Sequence, residues 1–165
     1  NLFFDSDFSI HAGEIYEDPQ WPSDPLFYVC CPSKTDPEVA PEGKENMFIL
    51  IPVAPGLDGD NEAIREKYFE QVIQRMEEKL GVPFKDDICF VNYYGISNFA
   101  ADYNAFKGNA YGLANTLQQT GFLKPKMKNK KLTNLFNTGQ LTAPGPGVPP
   151  AIISGKIIAG EIMKN

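Results

Sequence analysis

The sequence predicts an α+β chain, in which helices alternate with the strands of a mixed sheet, on three observations. Two short runs, residues 26–30 and 47–53, are dense in β-branched and aromatic side chains, the composition of strands. Between residues 60 and 80, Ile64, Tyr68, Val72, Met76 and Leu80 recur every four residues, the stripe of an amphipathic helix. Near the end, an apolar stretch passes through a glycine- and proline-rich loop into an isoleucine-rich segment, which reads as strand, turn and helix.

Taken in order, Asp5-Ser6-Asp7 follows a short apolar run and predicts a capped helix through about Glu17. The proline-rich segment 18–25 is extended. Residues 26–30 and 47–53 are strands, joined by a wide connection holding Pro32, Pro37, Pro41 and Gly43, and are expected to be sheet neighbours. In the helix of residues 60–80, Phe69 and Ile73 widen the stripe. Asp60 is the expected cap, Glu62 complements the positive first turn, and Gly81 with Pro83 stops it. Its Tyr and Met residues are assigned to plain core. Residues 88–94 read as a third strand and 97–104 as a short helix beginning at a Ser97 cap. Residues 107–120 are irregular and rich in Gly and Asn, the pattern of a functional loop.

Composition narrows the classes. With 42% hydrophobic and 22% charged residues over 165 positions, the chain is an ordinary globular mixture without an apolar run of about 18 residues. A net charge of -6 argues against general nucleic-acid affinity. Cys30, Cys31 and Cys89 lack a Cys-x-x-Cys spacing, so neither a structural disulfide nor a zinc site is expected, and a reducing cytoplasm is the default compartment. His11 has no Cys or His at ligand spacing and is assigned as an ordinary helix or surface residue. The opening at Asn1, directly on Leu2-Phe3-Phe4 with no initiator Met, is expected of a part of a longer protein.

The densest information lies in residues 134–155. There Gly139, Gln140, Gly145, Gly147, Val148 and Ala151 line a turn whose glycines let the backbone approach a ligand, at a helix end that favours an electron-rich group. The pyrophosphate fingerprint Gly-x-Gly-x-x-Gly is not met, because Pro150 stands where the third glycine belongs. Pro149 and Pro150 also lack N–H groups, which leaves mainly Gly147, Val148 and Ala151 as donors. That number suits a ring carbonyl better than a pyrophosphate, and a proline-initiated helix packed by its small residues is the competing reading.

Residues 139–155 resemble the carboxyl-terminal signature of the bacterial-type phytoene desaturases, or phytoene dehydrogenases, of the flavin amine-oxidase-like superfamily. Tyr28-Val-Cys-Cys-Pro-Ser33-Lys-Thr-Asp-Pro37, with Ala40-Pro41-Glu-Gly43, is similar to a second block of that family. Gly108-Asn-Ala-Tyr-Gly112-Leu-Ala, with Gln119-Thr, Leu123 and Pro125 after it, is similar to a third. The chain departs from the family's usual Gly-Ala-Gly-Thr-His-Pro, reading Gly139-Gln140-Leu141-Thr142-Ala143-Pro144, which leaves the exact carotenoid open.

The resemblance implies an FAD enzyme. Residues 1–131 would then be part of its substrate-binding domain, and 132–165 the carboxyl-terminal strand and helix returning to a Rossmann-like FAD domain. The amino-terminal Rossmann unit would lie outside this sequence, so the chain alone is expected to be inactive and to retain little FAD. The implied reaction removes hydrogen from a long apolar polyene, a carotenoid, with hydride passing to the flavin. Asp102, Tyr103, Asn104 and Tyr111 are the first polar residues to consider, and none is assigned as acid or base. Lys124, Lys126, Lys128, Lys130 and Lys131 read equally as a solvated face or as a contact with an anionic membrane surface, on the cytoplasmic side. Two alternatives stand beside this reading: another flavin enzyme of the superfamily, such as a carotenoid isomerase, retinoid saturase or amine oxidase, and a lipid-binding module without redox function.

Overall fold

The structure is a computed structural model that describes residues 1–114 and 116–164. It divides into two compact units, Asn1–Ser97 and Asn98–Asn165. This break in compactness falls upstream of residue 131; the boundary expected there concerns a complete enzyme and is a separate matter.

In the first unit, strands β1 (Leu2–Phe3), β2 (Phe27–Cys30) and β3 (Phe48–Leu50) form one sheet in that order. Both pairings are antiparallel, with Phe3 opposite Phe27 and Val29 opposite Ile49. The sheet is therefore wholly antiparallel among the described residues, where a mixed one was expected. Alternation along β2 sends Phe27 and Val29 to one face, where they meet Val72 and Met76 of helix α2 (Glu62–Leu80). Phe3, Ile49, Ile51 and Phe84 close around this cluster, and the Phe3 and Phe27 rings stack with centroids 4.5 Å apart. The middle of the four-residue stripe of α2 is core, as its spacing predicts: Tyr68, Val72 and Met76 are buried with Ile73 beside them, while Ile64 is half-buried and Leu80, at the helix end, is exposed.

Helix α1 (Phe8–Tyr16) begins at Asp7, whose carboxylate accepts the N–H of Ser9 at 2.8 Å. His11 on α1 is buried, not a surface residue. Its Nδ1 accepts the Leu26 N–H at 3.0 Å, which leaves Nε2 to donate to the Pro52 carbonyl at 2.8 Å, so the imidazole links α1 to the segments flanking both longer strands. The extended segment 18–25 forms no ladder. Its carbonyls are taken by side chains along one face of α2: Tyr68 Oη donates to Pro22 O at 2.6 Å, Gln71 Nε2 to Ser23 O at 3.2 Å, and Arg75 Nη1 to Pro25 O at 2.6 Å. Burial, with the Glu14 carboxylate nearby, pushes the Tyr68 hydroxyl up to about 12.

Three sequence expectations change here. Asn61, not Asp60, caps α2, its Oδ1 accepting the Ile64 N–H at 3.1 Å. Asp60 instead receives Arg65 Nε at 2.7 Å and the Ser97 N–H at 2.7 Å, and the Arg65 hydrogen bonds hold its carboxyl down at about 2 against the opposing effect of burial. Residues 88–94 form no strand. They run along α2, where Tyr93 donates to Glu66 Oε2 at 2.7 Å and meets Phe69 edge to face, so side chains of a helix replace the neighbouring strand that a ladder requires. Helix α3 (Ile96–Tyr103) starts one residue before Ser97, whose N–H is held by Asp60, so Ser97 is not its cap.

Helix α4 (Val148–Ile162) ends the second unit. Among the described residues no helix is long and apolar enough to cross a membrane.

Candidate functional site

The glycine-rich turn and its surroundings all lie in the second unit. The apolar residues 134–138 do not form the expected strand. They fold back on residues 126–129 through a single antiparallel bridge, Lys128 with Phe136, supported by Asn129 N–H to Leu135 O at 3.0 Å and Asn137 N–H to Met127 O at 2.7 Å. Asn129 Oδ1 accepts the N–H groups of Lys131 and Leu132 at 2.8 and 3.0 Å and so sets the reversal of this ribbon. A lone two-stranded ribbon is too short to be regular sheet. It carries Lys126, Lys128, Lys130 and Lys131 outward.

Lys124 differs from those four. It follows the turn Gly121–Leu123 and is buried, only 4% exposed, so the five lysines are not one solvated face.

The turn itself is bound to α4 by one hydroxyl. Ser154, fully buried, donates its single proton to Ala151 O at 2.6 Å. Its lone pairs are thereby left to accept the Gly139 N–H at 2.7 Å and the Thr138 hydroxyl at 2.7 Å. Thr142, also buried, closes the start of the loop by bonding Gly139 O through both Oγ1 (2.9 Å) and N–H (3.1 Å). Gly139, Gly145 and Gly147 have φ of 101°, 139° and 113°, conformations that side chains disfavour. At Gly145 a side-chain carbon would also lie 3.4 Å from Lys124 Cε and 3.8 Å from its Nζ.

Gly147 caps α4 without a side-chain bond, and the helix enters through Val148-Pro149-Pro150. Prolines are tolerated in this first turn because its N–H groups have no intrahelical acceptors in any case. The Ala151 N–H, expected to face a ligand, is committed to Gly147 O at 3.0 Å, the first bond of the helix. Among the described residues the N–H groups of Gly145, Gly147 and Val148 meet no acceptor, so these are the donors the turn offers.

The Gly-rich loop before the ribbon docks on this turn. Gln140 Nε2 reaches Ala110 O at 3.5 Å, at the long limit of a hydrogen bond, and Asn109 Oδ1 accepts the Gly112 N–H. Gly112, with φ of 82°, lies so close to Leu141 that a side-chain carbon there would be 2.2 Å from Leu141 Cδ2. The blocks Gly108–Ala114 and Gly139–Pro144 thus share one surface. Of the polar residues considered for acid–base work, Asp102, Tyr103, Asn104 and Tyr111 are all exposed. Ser154, Thr142 and Lys124 were not singled out for the turn by sequence. A Ser inside an apolar helix and a Thr inside a glycine loop are the signals that point to the first two.

No family model matches the chain. Over 99% of its residues it is similar to several curated proteins. It is 42% identical, over 99% of its residues, to a carotenoid 3,4-desaturase of Haloarcula japonica, covering 33% of that protein. It is 33% identical, again over 99%, to a zeta-carotene-forming phytoene desaturase of Myxococcus xanthus, covering 32% of it. A 4,4'-diapolycopen-4-al dehydrogenase of Metabacillus indicus is 32% identical over 99% of the chain, which covers 33% of that relative. The chain spans about a third of the length of the curated relatives it matches.

Proposed function

Because this chain belongs to the carotenoid desaturase family, though it spans only about a third of such proteins, we propose that it is part of an FAD-dependent oxidoreductase that introduces double bonds into a long apolar polyene. The observation that carries the reading is the 42% identity with a carotenoid 3,4-desaturase, kept over 99% of the chain. The turn's chemistry supports it. Three N–H groups without acceptors, two of them at a helix end with Pro149 and Pro150 behind, make too sparse a cradle for a pyrophosphate and suit the carbonyl edge of a flavin ring.

On this reading FAD, when bound, supplies the hydride acceptor for hydrogen removed from adjacent carbons of the polyene, the second hydrogen leaving as a proton. Gly145, Gly147 and Val148 would hold the ring edge with backbone N–H groups. Ser154 and Thr142 fix the turn so that these donors keep their aim without rearranging as charge develops. Gly112 and Leu141 bring the Gly-rich loop against the same turn. The polyene dissolves in lipid, and the ribbon carrying Lys126, Lys128, Lys130 and Lys131 is the proposed contact of a peripheral, cytoplasmic-side enzyme with an anionic bilayer.

A second reading, dehydrogenation of an aldehyde at the end of a polyene, is favoured by the relative named for that activity. One experiment tests both: the full-length protein is purified, its FAD content measured, and phytoene and a polyene aldehyde are offered in liposomes. Stoichiometric FAD with new conjugated double bonds supports the desaturase, acid formation from the aldehyde supports the second reading, and absence of FAD overturns both.

A further inference from the structure

We propose that Tyr111 is a substrate-contacting residue, its ring a wall of the polyene's binding place beside the glycine turn, and that Leu141 and Gln140 are the positioning residues that hold it there. This rests on the flavin reading given above. Tyr111 stands in the middle of a loop segment that meets the turn on both sides of it. Before it, Ala110 O accepts Gln140 Nε2 at 3.5 Å. After it, Gly112 lies so close to Leu141 that any side-chain carbon there would collide with Leu141 Cδ2.

Both sides of this contact are held by further bonds. The loop segment is bent upon itself by Asn109, whose Oδ1 accepts the Gly112 N–H and whose Nδ2 donates to Phe106 O. Leu141 is carried by backbone that Thr142 fixes through its two bonds to Gly139 O. A large aromatic side chain that is 65% exposed is ordinary on a free loop. On a segment held at Ala110 and again at Gly112, its backbone has little freedom left, and the ring offers a preformed apolar surface to a ligand seated at the turn.

Gln140 and Leu141 are also two of the places where the chain departs from the usual Gly-Ala-Gly-Thr-His-Pro, which has an alanine and a glycine there. Neither of those residues could make these contacts: alanine has no side-chain donor, and glycine has nothing to fill the space that Gly112 leaves. The two departures therefore act together, on the loop, and through Tyr111 they bear on which polyene fits.

The test uses the full-length protein, with phytoene and its more desaturated products offered in liposomes and with FAD content and melting temperature recorded for each variant. Tyr111→Ala is expected to keep its FAD and raise the apparent KM about ten-fold or more with little change in kcat, while Tyr111→Phe behaves as the unsubstituted protein, since the ring makes the contact. Gln140→Ala with Leu141→Gly should raise KM to a similar extent and alter which polyene is preferred. Tyr111→Ala added to that pair should then cost little more, because the ring is already out of place. An unchanged KM in Tyr111→Ala, an equal loss in Tyr111→Phe, or independent effects in the triple variant overturns the proposal. So does loss of FAD or of folding in the paired variant, which makes Gln140 and Leu141 packing residues. If the unsubstituted protein holds no FAD or converts no polyene, it is the flavin reading itself that fails.

Discussion

The backbone N–H of Gly139 donates to Ser154 Oγ at 2.7 Å, which ties the first residue of the glycine turn to the second turn of the helix that the loop leads into. The hydroxyl is saturated, with one bond given and two received, so nothing at this position substitutes for it.

Ser154→Ala is expected to destabilise the protein by about 1–3 kcal/mol, because the Gly139 N–H and Thr138 hydroxyl lose their acceptor in a water-poor place. Thr138→Val on the Ser154→Ala background should cost less than Thr138→Val alone, since its partner is already gone. Melting of the four proteins checks this; additive losses would show that Thr138 and Ser154 do not act together.

Gly147→Val should abolish FAD retention in the full-length protein. A side chain there is strained by the φ of 113° and placed 3.4 Å from Pro150 Cδ. Gly160→Ala is the contrast. It lies on the same helix with open space around it, and should raise stability by up to about 1 kcal/mol while leaving FAD content unchanged. The ratio of flavin to protein absorbance distinguishes the two.

Asp60→Asn should destabilise the protein near neutral pH and lose that effect in acid. The folded carboxyl is held at about 2, below its usual 3.8. Its contribution is therefore fully present above about pH 4 and fades as pH falls through about 2. Urea midpoints of the two proteins should differ at pH 7 and converge at pH 2; a constant difference would mean that Asp60 acts only through shape.

Replacing Lys126, Lys128, Lys130 and Lys131 together with Gln should weaken cosedimentation with anionic liposomes at low salt, each lysine near such a surface contributing about 1 kcal/mol at most. The difference should vanish in high salt, where the Debye length shrinks to roughly 3 Å at 1 M. Equal binding of both proteins at low salt would leave the ribbon as a solvated face.

The local signals were legible. Asp7 before α1, the four-residue stripe of α2 and the left-handed Gly81 after it need only near neighbours to act. What failed depended on distant partners. Asp60 and Asn61 are adjacent and both able to cap, and the choice was made by Arg65 and Ser97, which draw Asp60 away. Residues 88–94 and 134–138 have strand composition, but a strand also needs an edge to pair with, and no composition reports whether one is near. Lys124 stands in a regular series of lysines, and only its place beneath Gly145, twenty-one positions later, separates it from the rest. The turn's glycines were readable as glycines of a turn because positive φ selects them; Ser154 was not, because its role is set by where Gly139 arrives.

The extended segment 18–25 has an implication for the order in which the chain folds. Its carbonyls find their donors at Tyr68, Gln71 and Arg75, between 46 and 50 residues away, on a helix face that does not exist until α2 has wound. Helix α2 forms from local bonds and local caps, on a timescale of about a microsecond for a segment of this length. The three carbonyls have no such local route, although Gln20 and Ser23 N–H groups reach Glu14 of α1, and Pro19, Pro22 and Pro25 bring acceptors without N–H donors of their own. The seating of this segment on α2 is therefore a late step, completed only after α2 has wound, and it is lost when that face of α2 unwinds.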